Sequence, residues 1–391
     1  MKKFNVPLLI TNDGAPITNA SVSVAADGKI ISISQTYADD AILLNGVLVP
    51  GFVNAHCHLE LSHLRNTIVP CVDGMTGFIR QLLSNRFLVQ SEEQLEAMKR
   101  TDSEMWEQGI VAVGDISNFN HSIPVKANSK IYYHTFIELL GLDLNKSEEI
   151  IEKGCLLVDE FKNSSTLKAS ITPHAPYSCP EKLLQQIFEN VNKDAPLSIH
   201  MQESLDELQF CKDKSGPMFD FFKGIGISVD DFKAFGNTSP IQKLVPKFPL
   251  NKLQLVHNTF ATVADIQLAE AVHQNIYWCL CVGANLFIND VVPPVEVLYR
   301  NNCKITIGTD SLASNHQLSI LEELKMIHSA FPNIPFEEMI KWSSCNGAEF
   351  LGVDEKFGKI KPGYKPGLVL LESVNIQQPK FSEEISCQRI A

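Results

Sequence analysis

In the stretch VNAHCHLELS, His56 and His58 stand two residues apart at the end of the apolar run VLVPGFV. Residues i and i+2 of a β-strand project from the same face, with Cα atoms about 6–7 Å apart from the strand rise. Both imidazoles would therefore aim at one point and could share a metal ion. A pair of this kind standing alone is more commonly a surface or hydrogen-bonded pair. A metal site needs further ligands from elsewhere in the chain.

Three other apolar runs end in suitable groups. PLSIHMQES carries His200, with Glu203 three residues on; LQLVHNTF carries His257; KITIGTDSLASN carries Asp310. Taken singly each has an ordinary reading, a hydrogen-bonded core histidine for His200 and a loop-capping aspartate for Asp310. Taken together, His56, His58, His200, His257 and Asp310 can supply three imidazoles and a carboxylate. That set suits one divalent ion of the zinc class, or iron(II), and leaves a position open for water, as a catalytic rather than a structural site does. Glu203 would lie where the turn after its strand can bring a carboxylate over that water.

Positioning these groups requires strands whose ends converge. From Val47 onward short apolar runs alternate with helical stretches, and the runs end near His56, Asp115, Glu138, Pro173, His200, His257, Cys281 and Asp310. Between them, SEEQLEAMKRTDSEMW spaces Leu95, Met98, Asp102 and Met105 three or four apart, and Ser91 and Gln94 fit a capping box. PEKLLQQIFENV, TVADIQLAEAVHQ and PPVEVLYRNN read as further helices. Eight strand-helix units in roughly 300 residues predict an α/β fold, a (β/α)8 TIM barrel. The alternative, a doubly wound open sheet, wants a Gly-rich phosphate turn after an early strand, and none is present. The polar candidates fall instead at the C-terminal strand ends, where barrels place their chemistry. Before the barrel, SVSVAADGKIISIS alternates around Asp27-Gly28 as a hairpin, and after it GKIKPGYKPGLVLLES returns to a Gly/Pro-punctuated apolar run. The predicted organisation is a small β-sandwich domain formed by both termini, residues 1–47 and 351–391, flanking a barrel at 48–350.

With 45% hydrophobic and 20% charged residues the chain has the balance of an ordered globular protein. Its net charge of −12, with no Lys/Arg-rich block, argues against a nucleic-acid partner. The first apolar run is broken by Thr11, Asn12 and Asp13, too early for a signal peptide, and the longest, IYWCLCVGANLFI, is too short to span a bilayer. Ten cysteines without a C-x-x-C pair read as thiols in a reducing compartment. These features predict a cytoplasmic protein with a small-molecule substrate and no membrane partner, and they are compatible with a homo-oligomer.

The motifs PGFVNAHCHLELS, TPHAPYSC, HMQES, LVHNTF and GTDSLASN, in this order from about Val47 to GKIKPGYKPGLVLL, resemble the amidohydrolase superfamily in its deaminase and chlorohydrolase branch. The resemblance implies a hydrolase acting on carbon–nitrogen bonds, a cyclic amidine deaminase. His56, His58, His200 and Asp310 would hold one metal, zinc by preference and iron(II) as second choice. Glu203 would shuttle protons, and His257 would orient the attacking water together with Asp310. Thr172-Pro173-His174 stands where two-metal members carry a carboxylated lysine, which points to a single ion. Two departures stand out. The usual Cys-Pro-x-Ser-Asn after the seventh strand reads CVGAN, keeping Cys281 and Asn285 with Val282 and Ala284 between them, and Gly367 replaces the customary Asp of the closing strand.

HAPYSC resembles the stretch that contacts the sugar in deaminases of S-adenosylhomocysteine, methylthioadenosine and aminodeoxyfutalosine, which makes His174 a candidate sugar contact. Glu60 is a candidate acceptor from a ribose hydroxyl, and Asn285 a candidate on the substrate-facing loop. The alternatives are a loop-capping role for His174 and a pairing of Glu60 with a cation such as Arg65. The expected activity is hydrolytic deamination of an adenine-containing nucleoside, with release of ammonia. A chlorohydrolase, or a guanine or pyrimidine deaminase, would keep the site and change the bond. A catalytically silent barrel acting as a binding protein is the reading from another class.

Overall fold

A computed structural model of the chain describes residues 1–70, 73–164 and 167–391. Strands β1 (Lys2–Leu9), β2 (Ile17–Val24) and β3 (Ile30–Ser34) form an antiparallel meander, with the hairpin that the alternation around Asp27-Gly28 predicts. The two-residue β4 (Ile42–Leu43) and β5 (Val47–Pro50) pair parallel to β1. The run VLVPGFV then breaks at Gly51. Gly51 N faces the carbonyls of Pro366 and Gly367, both at 3.2 Å, whereas Phe52 N donates to Gly109 O at 3.0 Å. The chain changes sheets between two consecutive amides, so the passage into the parallel strands lies at Gly51 and not at Val47.

Four parallel strands follow, β6 (Phe52–Cys57), β7 (Ile110–Ser117), β8 (Tyr132–Leu139) and β9 (Lys168–Pro173), each paired with the next. Four more, β10 (Leu197–Met201), β11 (Leu253–His257), β12 (Ile276–Leu280) and β13 (Ile305–Ile307), form a second parallel sheet. These runs coincide with those read from the sequence because buried parallel strands are apolar on both faces. His200 N donates to His174 O at 2.9 Å beside β9 and β10, and Cys57 and Asp310 form a parallel bridge beside β6 and β13. Gln254 Nε2 reaches Ala55 O at 2.9 Å and Gln254 Oε1 accepts from Thr306 Oγ1 at 3.1 Å, tying β11 to β6 and β13 through buried polar atoms. The architecture is an α/β fold of the TIM-barrel type.

Near the C-terminus β14 (Leu368–Glu372) pairs antiparallel with β5, and β15 (Ser386–Arg389) with β14. Both ends of the chain thus meet in one seven-stranded sheet, ordered β15-β14-β5-β1-β2-β3 with β4 beside β1. A sandwich needs a second, facing sheet; the terminal strands of the described residues belong to this one. Its two faces bury different cores, as a period of two requires. Leu48, Leu368 and Leu370 join Phe4, Val6 and Val22 in a cluster of their own, while Val47, Val49, Val369 and Leu371 pack into the main core. Gly367, just before β14, has φ +68°, and a Cβ there would lie 2.7 Å from Val111 Cγ1, so the position admits no side chain.

The helices between the strands pack by their apolar faces. In Ser147–Asn163, Ile151, Gly154, Val158 and Phe161 are buried at spacings of three and four. The capping box expected at Ser91 is not formed. Gln90 has the extended backbone of an N-cap, so Ser91 is already inside the helix Ser91–Glu107, and Gln94 Nε2 turns to Val89 O at 3.1 Å. A capping box does open Val263–Val272, between Thr262 and Asp265. Among the described residues nine cysteines are all free thiols, and no helix is long and apolar enough to cross a membrane.

Candidate active site

The predicted residues sit at the C-terminal ends of different strands. His56 lies in β6 with His58 just beyond it, His200 lies in β10 with Glu203 two residues past its end, His257 ends β11, and Asp310 follows β13. The fold brings them together. His56 Nε2 and His58 Nε2 are 3.2 Å apart, and Asp310 Oδ1 is 3.3 Å from His58 Nε2 and 3.7 Å from His56 Nε2. One ring nitrogen each of His56, His58 and His200 lie within 4.8 Å of one another. The His257 ring centroid is 5.5 Å from that of His200 and 5.9 Å from that of His56.

Tight local packing enforces this convergence. The N–H groups of Thr309 and Asp310 both donate to His56 O, at 3.0 and 3.1 Å. Gly308 makes the approach possible: a Cβ there would lie 2.8 Å from His56 Cβ and 2.9 Å from the sulfurs of Cys279 and Cys281. Gln202, His257, Asn258 and Asp310 all have φ between +49° and +74°. Left-handed backbone in such residues costs about 1–3 kcal/mol each and persists only where neighbours over-determine it. The neighbours are visible: Gln202 N bonds Glu207 Oε1 at 2.9 Å, Asn258 N bonds Met201 O at 3.0 Å, and Ser314 Oγ donates to Asp310 Oδ2.

His200 Nδ1 lies 2.9 Å from His174 O. A carbonyl only accepts, so Nδ1 carries the hydrogen and the lone pair is at Nε2. Glu138 and His174, also near His200, therefore cannot share it as a second metal site. Burial lowers all four imidazoles, His58 to about 3 and His257 well below the usual range. For Asp310 burial works upward, but the imidazoles of His56, His58 and His257 outweigh it and hold the carboxyl well below the usual range. Burial likewise opposes ionisation of Glu138, and His174, His200 and His58 bring it down to about 2. At neutral pH the cluster therefore sets uncharged imidazoles beside ionised carboxylates. His56 Nδ1 and both ring nitrogens of His257 are buried without a hydrogen-bond partner. Converging lone pairs, excess negative charge and the unpartnered His257 ring fit a divalent cation with its water.

Glu203 Oε1 stands 3.4 Å from His257 Nε2. Burial first, then Asp310, Glu207 and Glu138, push the Glu203 carboxyl well above its usual range. The cluster floors a cavity of about 590 Å³, a size typical of small-molecule sites. The wall above it carries Arg86, Asn118, Glu138 and His174.

The model of the amidohydrolase family matches residues 47–386. The chain belongs to the amidohydrolase family. This amidohydrolase is 27% identical to a 5'-deoxyadenosine deaminase of Methanococcus maripaludis, over 93% of this chain and 85% of that one. It is 24% identical to a 5-methylthioadenosine/S-adenosylhomocysteine deaminase of Dictyoglomus turgidum, over 86% and 75%. Its fold matches that of Helicobacter pylori aminofutalosine deaminase in complex with methylthio-coformycin, with a TM-score of 0.82 and 21% identity over 100% of both chains.

Two expected substrate contacts of this amidohydrolase are placed otherwise. Glu60 is already engaged by three donors: Arg86 pairs with its Oε1, and the N–H groups of Asn118 and Phe119 donate to Oε2 at 3.1 and 3.3 Å. Its cation is Arg86 and not Arg65, which pairs with Glu104. Asn285 is buried, donates to Thr259 Oγ1, and is not among the residues lining the cavity. His174 does line it, with Nδ1 2.7 Å from Ser178 Oγ. The residue missed from the sequence is Glu138, one position before the end of β8. Its Oε2 accepts from Asn118 Nδ2 at 3.1 Å, and its buried Oε1 has no hydrogen-bond partner. YYHTFIEL does carry a carboxylate at the productive end of a strand, but a lone glutamate has no spacing that marks it out.

Proposed function

We propose that this amidohydrolase is a metal-dependent hydrolytic deaminase of an adenine-containing nucleoside, of the methylthioadenosine, S-adenosylhomocysteine or aminodeoxyfutalosine type. The observation that carries the reading is the Glu203 carboxyl beside His257, above converging imidazoles and Asp310, at the floor of a nucleoside-sized cavity. The deaminase names of its relatives support it. His56, His58, His200 and Asp310 would hold one divalent ion, zinc by preference. Such an ion supplies water whose pKa falls from 15.7 to about 7.

The chain's own groups do the rest. His257 and Asp310 orient the attacking water toward the ring carbon that bears the amino group. Glu203 takes one proton of that water and passes it to the adjacent ring nitrogen, then takes the remaining hydroxyl proton from the newly bonded oxygen and gives it to the amine, so that the carbon–nitrogen bond breaks, a carbonyl forms and ammonia leaves. His174 and the unpartnered Oε1 of Glu138 face the sugar, Glu138 taking the acceptor role first expected of Glu60. The two parallel sheets are taken to close into an eight-stranded barrel through the β9/β10 and β13/β6 contacts, supported by the bonds of His200 and Asp310 described above. The terminal sheet, with its separate apolar cluster, is taken as the small flanking β-domain, a single sheet in place of the expected β-sandwich. The free thiols support a cytoplasmic setting.

The test is ammonia release by metal-loaded protein from adenosine, 5'-deoxyadenosine, methylthioadenosine, S-adenosylhomocysteine, guanine and cytosine. Release from adenine nucleosides well above the free bases is expected. Release from guanine or cytosine alone, or from none, overturns the proposal.

A further inference from the structure

Apart from the floor and Arg86, Asn118, Glu138 and His174, the lining of the cavity is largely apolar, and this part forms its apolar arm. A run of neighbouring rings marks its direction. Centroid separations are 5.0 Å from His200 to His174, 5.5 Å from His174 to Tyr177, 6.5 Å from Tyr177 to Phe222 and 5.6 Å from Phe222 to Phe221. Phe78 and Leu82 of the helix Gly74–Asn85, Leu139 at the end of β8, and Ile150 and Leu157 of the helix Ser147–Asn163 line the rest. Among the described lining residues beyond the floor and the polar wall, Lys153 alone carries charge. It is largely exposed, and its Nζ pairs with Glu149 at 2.5 Å. Arg86, the other cation at the wall, is held by Glu60.

We infer that this arm receives an apolar, uncharged substituent on the 5' carbon of the nucleoside, such as an alkylthio or arylthio group, in preference to a zwitterionic amino-acid chain. The inference rests on the adenine-nucleoside reading above and narrows it. The arm is continuous with the floor that would hold the base, and the polar wall between them is where the sugar would stand. An apolar group leaving water for these walls gains about fourfold in affinity for each methylene buried. An ammonium and a carboxylate entering the same arm lose hydration against its apolar walls, and among the described lining residues the two cations, Arg86 and Lys153, are already paired.

The test uses metal-loaded Glu203→Gln protein, so that ligands are held without turnover, and calorimetric titration with adenosine, methylthioadenosine, 5'-deoxy-5'-(phenylthio)adenosine and S-adenosylhomocysteine. The phenylthio compound is expected to bind at least tenfold tighter than S-adenosylhomocysteine. Equal binding, or tighter binding of S-adenosylhomocysteine, overturns the inference. Leu157→Asp, with Leu157→Ser as a milder second variant, should remove most of that preference while adenosine binds as before, which also reports an intact fold. An unchanged preference in both variants overturns the assignment to this arm. Ammonia release by the wild-type protein, measured alongside, judges the other reading by itself. Tight binding of the thioethers without any ammonia keeps the arm and overturns the deaminase.

Discussion

Glu207 accepts the backbone N–H of Glu203 at 2.8 Å, so one buried carboxylate fixes the strand end that carries another. Its second oxygen accepts from Gln202 N at 2.9 Å, at a residue whose φ is +49°. Glu207→Ala would leave two buried donors without partners, at about 1–3 kcal/mol each. A lower urea midpoint is expected together with a fall in kcat that exceeds any change in KM, because Glu203 loses its support. Glu207→Gln keeps one acceptor and should recover part of both. Wild-type kcat in Glu207→Ala would show that the bond does not position Glu203.

Glu203→Gln removes the proton carrier and leaves the proposed metal ligands in place. A drop in kcat of about 10²–10⁴ is expected, with metal content by elemental analysis unchanged. Near-normal turnover with metal bound would mean that another group moves the proton.

Lys126 Nζ lies 2.5 Å from Asp115 Oδ2 with both side chains fully buried, and Asp115 Oδ1 accepts from Leu59 N, next to His58, at 2.7 Å. Lys126→Met alone strands a buried carboxylate, a loss of about 3–5 kcal/mol in unfolding free energy. The double variant Asp115→Leu/Lys126→Met should lose clearly less than the two single losses added together. Additive losses would show that the pair is not coupled.

Burial pushes Glu207 and Glu323 up to about 7 from 4.5, against the backbone N–H groups that bond them. Folding then takes up protons across this window, so their contribution weakens as pH rises from 4.5 to about 7. A tenfold change in proton affinity between the folded and unfolded chain is worth ~1.4 kcal/mol. In chelator-treated protein the urea midpoint should fall between pH 5 and pH 7.5, and Glu323→Gln should flatten the decline. An equal slope in that variant would exclude Glu323 as a source.

Zinc at about a hundredfold over its dissociation constant should stabilise the folded protein by roughly 2.7 kcal/mol, read as a rise in Tm over chelator-treated protein. His200→Ala should abolish most of the rise. A Tm that ignores zinc would speak against the donor set.

Much of this molecule was legible from residue types and spacing. A strand puts i and i+2 on one face whatever surrounds it, so His56 and His58 had to converge, and apolar runs flanked by polar residues located all eight parallel strands. Helix ends were less legible, because Ser91 is a good cap only if its own backbone is extended, and packing placed that geometry at Gln90. The partners of isolated polar groups were not legible at all. Glu60 finds Arg86 across 26 residues, Asn285 turns to Thr259 across 26, and Glu138 meets His200 from a different sheet. Local periodicity ranks ligands that share a strand. Which lone carboxylate is engaged by donors and which keeps an oxygen without a hydrogen bond is decided by long-range contacts, and these exist only once the strands are side by side.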